Sequence, residues 1–183
     1  MKKSLVFCAF AAILSACAGA PTAKPVTSGP DWVNKGSGAF KDGGQSVFYG
    51  VGIFRGSSNP AMVRTAADER ARVEIAKTLD TFVTSLYKDY MAATTAGDQS
   101  KTSDEQHVEQ AFKNFSKFTL NGATVVDHWK DADGTMYALA KLDLESMKKS
   151  LENAKELNSK ERDFVRANAE KAFDNLDAEA AKH

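Results

Sequence analysis

Val47-Phe48-Tyr49-Gly50-Val51-Gly52-Ile53-Phe54 reads as a strand, dense in β-formers and bounded by Gly43-Gly44 on one side and Gly56-Ser57-Ser58 on the other. Both of its faces are apolar: Val47, Tyr49, Val51 and Ile53 alternate with Phe48 and Phe54 around the two glycines. A half-solvated sheet alternates apolar with polar residues, so this strand calls for cover on both sides. The C-terminal helix is the economical cover for the second face, with a neighbouring subunit as the alternative. Gly50 and Gly52 fit a helix pressed close on the sheet or a bulge. A dinucleotide fingerprint is excluded, because its third glycine falls at Arg55 and no short turn joins this strand directly to a helix.

Downstream, Asn59-Pro60 marks a helix start, with Asn as N-cap and Pro at the first helical position. Helical spacing from Met62 to about Met91 places Met62, Ala66, Val73, Ala76, Leu79, Val83, Leu86 and Tyr90 inward, with Asp68 and Arg72 as an i,i+4 surface pair. Residues 92–101 read as a loop, and Ser103 with Gln106 as a capping box. A second helix to about Ser116 follows, with Val108, Ala111, Phe112 and Phe115 inward. Residues 118–130 and 135–142 predict two strands around the hairpin turn Asp131-Ala132-Asp133-Gly134. Asp143 then caps a third helix to about Leu157, with Leu142 and Met147 as a hydrophobic staple. After a weak break at Asn158-Ser159, residues 161–181 continue as helix, with Phe164, Ala169, Ala172, Phe173 and Leu176 on one side. The order β-α-α-β-β-α makes an α+β domain, a small three-stranded sheet packed with long helices.

Upstream lies a different kind of sequence. Lys2 and Lys3 precede an apolar run from Leu5 to Leu14, about half the ~20 residues that span a bilayer, so residues 1–16 read as a signal peptide rather than a transmembrane helix. The run ends in Leu14-Ser15-Ala16-Cys17, the pattern of a bacterial lipobox. The thiol of Cys17 takes a diacylglyceryl group, and small residues at 15 and 16 fit the subsite of the peptidase that cuts before it. Several acyl chains at ~0.8 kcal/mol per buried CH₂ make such an anchor effectively permanent. By resemblance to enterobacterial sorting, Ala18 and Gly19, with no Asp after the cysteine, favour the outer membrane. Residues 17–30 then form the lipidated cysteine and a Pro/Gly-rich flexible tether, which from Ala18 can span roughly 45 Å. Residues 31–157 form the folded domain, with Trp32 filling a surface groove, and 158–183 a helical tail.

The 183 residues carry 24 Lys+Arg against 24 Asp+Glu, and loss of residues 1–16 would leave 22 against 24. That balance excludes the basic field of a nucleic-acid binder. Two cysteines, Cys8 within the signal and Cys17, cannot staple a fold or build a four-cysteine zinc site. His107, His128 and His183 share no ligand spacing, and His128 beside Trp129 reads as a strand surface residue. Asp131 to Gly134 resembles a calcium-loop fragment, but Leu142 stands where the bidentate Glu belongs. Arg70 and Arg72 read as a solvated helix face. No nucleophile elbow or ordered Ser/His/Asp set occurs. The expectation is therefore a non-enzymatic chain with no catalytic, cofactor-binding or metal residues. Its one functional position is the lipidation site Cys17.

Pro30-Asp31-Trp32-Val33, Tyr49-Gly50-Val51-Gly52, the segment AADERARVEIA at 66–76 and the Val125–Ala140 hairpin with Trp129 and Tyr137-Ala138-Leu139-Ala140 together resemble the LPP-twenty family of bacterial lipoproteins, over roughly residues 30–142. Glu170-Lys171-Ala172-Phe173 is similar to tails in that family. The resemblance implies an outer-membrane-associated surface-antigen or envelope lipoprotein, and some similar proteins form rings or discs around the flagellar motor. Only Cys17 carries over as a functional residue. The expected function is a structural or assembly component of the cell envelope, in a flagellar or a general setting. The chain would be anchored to the membrane by lipid, with its domain in the periplasm or at the surface. Its partners would be itself or envelope proteins, not nucleic acid. The alternative is a periplasmic lipoprotein that binds peptidoglycan or an apolar ligand beneath the long helix.

Overall fold

The computed structural model describes residues 28–94 and 102–180. The signal peptide, Cys17, most of the tether, His183 and the side chain of Ser103 lie outside the described residues. The fold is α+β, with a wholly antiparallel sheet. Its sheet has four strands in the order β1-β2-β4-β3: β1 (Gly38–Asp42), β2 (Gln45–Phe54), β3 (Thr124–Lys130) and β4 (Met136–Asp143). The expectation of three strands missed β1. Gly43 and Gly44 do more than end β2: both take positive φ (55° and 82°), the two-residue turn that folds GAFKD back along it.

Helix α2 (Pro60–Thr94) starts as the sequence predicts. Asn59 Oδ1 accepts from the Ala61 N–H at 3.0 Å and the Met62 N–H at 3.4 Å. The end of the helix takes in part of the segment expected as a loop, and residues 95–101 lie outside the described residues. Its buried stripe is Val63, Ala67, Ala71, Ile75, Leu79, Phe82, Val83 and Leu86. The first half is rotated from expectation, leaving Met62 and Val73 exposed. The reason lies in the strand beneath. A Cβ on Gly50 would collide with the Ala71 carbonyl, and one on Gly52 with that of Ala67, so alanines rather than large residues must face the glycines. Close approach of backbone to backbone is what Gly50 and Gly52 provide.

Helix α3 (Thr102–Thr119) buries Ala111, Phe112 and Phe115 and runs through a 3₁₀ turn at Leu120–Gly122. Phe118 to Gly122, expected as strand, is thus helical, because Phe115, Ser116 and Thr119 carry the buried helical spacing past the predicted end. Helix α4 (Leu144–Ser150) is shorter than expected and closes in a 3₁₀ turn at Leu151–Asn153. Asp143 stands at its N-cap but makes no cap bond, lying instead 3.1 Å from Lys141 Nζ. Leu142 and Met147 are both in the core.

The weak break before α5 (Ser159–Ala180) is a complete capping box. Asn158 Oδ1 accepts from the Glu161 N–H at 3.0 Å, and Glu161 Oε2 accepts from the Asn158 N–H at 2.8 Å. The buried Glu161 carboxylate also accepts from Asn158 Nδ2 at 2.6 Å.

Helix α5 does not cover the second face of the sheet. Val165, Ala169, Ala172 and Phe173 join the main core, on the side already occupied by α2. There Phe48 meets Phe82 at 5.2 Å and Phe173 at 5.1 Å, both edge to face. The second face is covered by α1 (Asp31–Lys35), which brings Val33 onto Val51, Tyr137 and Leu139. Five residues show no helical period, which is why this element reads only as an edge motif.

Candidate functional site

The second face is the chemically varied surface of the fold. Strand alternation puts Tyr49 and Val51 of β2, Tyr137 and Leu139 of β4, and Trp129 of β3 there together. The Trp129 and Tyr137 rings meet at 5.1 Å and 43°. Trp32, on α1, lines a groove rather than filling one, and its Nε1 donates to Asp127 Oδ2 at 2.9 Å. Asp127 is held in turn by the His128 N–H, which donates to Oδ1 at 2.8 Å. Gly29 lies directly on the Trp129 ring, where any side chain would be crowded.

Beside α1 an open groove of about 410 Å³ is lined by Trp32, Tyr49 and Leu139 with Asp31, Lys35 and Asp42 at its rim. Tyr49 donates to Asp42 Oδ2 at 2.5 Å. Burial first, and then the bond to this carboxylate, push the Tyr49 phenol up to about 12. Burial likewise raises Tyr137. Both phenols stay protonated under ordinary conditions. The groove can therefore stack a flat or apolar group on its rings and hydrogen-bond it through carboxylates and one ammonium.

His128 sits on the opposite side of β3, against α2. Nε2 lies 2.5 Å from Asp68 Oδ1 and Nδ1 lies 3.2 Å from Arg64 Nη2. A guanidinium only donates, so Nδ1 accepts and the proton on Nε2 faces Asp68. Both ring nitrogens are thus committed to fastening β3 to the start of α2. The surface pair expected between Asp68 and Arg72 is not formed; Arg72 bonds Glu69 at 3.1 Å instead. Arg70, expected in solvent, donates to the Ile53 carbonyl at 2.6 Å and lies 4.9 Å over the Phe54 ring.

The Asp131–Gly134 segment is a turn. Asp131 N–H donates to the Thr135 carbonyl at 2.8 Å, Gly134 takes φ 88°, and Asp133 Oδ1 accepts from the Thr135 N–H at 2.9 Å. Those bonds from Thr135 hold the Asp133 carboxyl below its usual range. Among the described residues, no three His, Cys, Asp or Glu side chains converge as metal ligands. The space beneath α2, considered for an apolar ligand, is closed where Gly50 and Gly52 meet the helix backbone. Sequence pattern singled out Trp32, Trp129 and Tyr137, but Tyr49 with Asp42, and Asp68 with His128, meet only through the strand register and the α2 packing. Comparison with protein-family models and with curated protein sequences finds no match.

Proposed function

We propose that this chain is a non-enzymatic lipoprotein anchored in the outer membrane through Cys17, acting as a structural or assembly component of the cell envelope. The observation that carries it is the sequence Leu14-Ser15-Ala16-Cys17 closing a short apolar run behind two lysines, with a Pro/Gly-rich spacer before the folded unit. Among the described residues no helix is long and apolar enough to cross a membrane. The decisive test is intact mass together with membrane fractionation. The native chain should carry acyl mass on Cys17 and sediment with outer membranes, and Cys17→Ser should lose both. A free thiol at Cys17 in the mature protein sinks the proposal. In-cell cross-linking, and motility of a deletion strain, then separate a general envelope role from a flagellar one.

A ligand-binding role is the second reading. It is favoured by the groove between Trp32 and Tyr49, which offers rings and carboxylates on one open surface. Pull-down with purified peptidoglycan tests it, with Trp32→Ala as the variant that should lose binding.

A further inference from the structure

Strand β2 has ten residues and β1 only five, so among the described residues half of β2 has no paired strand on that side. The register Asp42↔Gln45, Phe40↔Val47 and Gly38↔Tyr49 closes a two-residue turn, which makes these the hydrogen-bonded pairs. By alternation the main-chain groups of Val51 and Ile53 point out along the same edge. Two bonds confirm the direction: Val51 N–H donates to Ser37 Oγ at 2.8 Å, and the Ile53 carbonyl accepts from Arg70. Among the described residues the Val51 carbonyl and the Ile53 N–H have no partner. An acceptor and a donor two residues apart on an extended strand are the half-ladder that another strand completes.

The surroundings match a strand rather than a compact ligand. A groove of about 560 Å³ runs along this edge, between α1 and α2, lined by Val33, Val51, Ile53, Arg70, Val73 and Lys77 among others. Ile53 on one side and Val73 on the other are 46% and 51% exposed, the kind of apolar cover that alternating side chains of an added strand would take. Along α2 the rim carries Arg70 and Lys77 against a single carboxylate, Glu74, which bonds Lys77 at 2.6 Å.

We infer that the open half of β2 is a docking edge for an extended segment of another protein, apolar at alternate positions and acidic between them. Charge selects this occupant. A second copy pairing antiparallel through the same two groups would be centred on Gly52, beneath Ala67 and Ala71, and would set Arg70 against the copy's own Arg70. The chain's tether, with Pro21, Pro25 and Lys24, lacks donors where a ladder needs them and adds a cation. The inference deepens the assembly role and rests on it for the partner's setting, while its test is independent of the lipid on Cys17.

The probe is the capped peptide acetyl-TVEVEVT-amide, titrated into the full chain by calorimetry and followed by amide hydrogen exchange. Binding should slow exchange at Ile53 at least tenfold. N-methylation of alternate peptide nitrogens should weaken binding at least tenfold, and exchanging both glutamates for lysine at least fivefold. Ile53→Pro, which removes the outward N–H together with part of the exposed apolar side chain on an edge where proline is tolerated, should lose at least as much binding as N-methylation, with the thermal melt retained. The methylated peptides read the same bond on the unaltered chain if that variant fails to fold. Equal binding of methylated and unmethylated peptides, or no protection at Ile53, overturns the inference. So does self-association that Ile53→Pro abolishes in the absence of peptide. None of these failures would alter the mass or fractionation result at Cys17.

Discussion

On one face of the sheet Phe48, Ala138, Ala140 and Leu142 lie under α2 and α5; on the other Val51, Tyr137 and Leu139 lie under the five residues of α1. The first face excludes water through long helices, small residues and interlocking phenyl rings. The second buries Tyr137 but keeps Trp32, Tyr49 and Trp129 half-buried, and ties two of them with polar bonds, Trp32 to Asp127 and Tyr49 to Asp42. The same strands serve both faces, so alternation lets one set of residues specify the fold while the next set shapes a surface open to ligands.

Substitutions can probe that contrast, and the largest effect belongs to the helix face. Phe48→Ala removes a fully buried ring from between Phe82 and Phe173 and should cost about 3–5 kcal/mol in urea unfolding. Gly52→Ala drives a methyl into the α2 backbone, and about 3 kcal/mol is expected from overpacking, seen as a lowered midpoint with unchanged slope. On the second face Val33→Ala should cost only about 1–2 kcal/mol, since the small cluster it joins is partly open. A loss as large as that of Phe48→Ala would show that α1 is integral to the core and erase the distinction. Trp32→Phe keeps the ring and deletes one hydrogen bond, for about 1 kcal/mol.

The smallest effect is electrostatic. Burial raises all four tyrosines, Tyr49, Tyr87, Tyr90 and Tyr137, and Tyr49 reaches about 12. The folded chain holds the neutral phenols, so their contribution is fully present below the unfolded value of about 10 and is lost as pH climbs through the raised values. Ultraviolet titration should therefore place the phenolate steps of the folded chain at higher pH than those of the chain in urea. Coincident steps in the folded chain and in urea would mean that the phenols of both faces are solvated.

The sequence made the helix face legible and the second face only partly so. Asn59-Pro60, the Ala67-Ala71-Ile75-Leu79 spacing and the Gly50/Gly52 pair all carry local signals, although large Met62 and Val73 drew the predicted stripe to the wrong side of α2. Weight on the glycines would have selected the alanines. β1 hid because GAFKD is short and carries two charges in five residues, and its signal lay in the turn after it. The demand for cover on the second face was readable from Val47 to Phe54, but which element supplies it depends on where α1 lands. Asp68 and His128 lie sixty residues apart and meet only because α2 crosses β3. The proposed lipidation at Cys17 rests on a linear segment, Leu14 to Cys17, so only the sequence speaks to it and the fold does not.

The placement of α1 also has a mechanical consequence. The chain enters the described fold at Ser28–Gly29, against Trp129, and passes through α1 before reaching β1. A pull from the N-terminal side therefore loads α1 first, peeling Val33 and Trp32 from the sheet one small contact at a time. The interlocked rings around Phe48 bear tension only after that lift-off and the opening of the β1–β2 turn. If the chain is anchored as proposed, such an order would let the domain lengthen under strain by several residues and snap back with its main core closed.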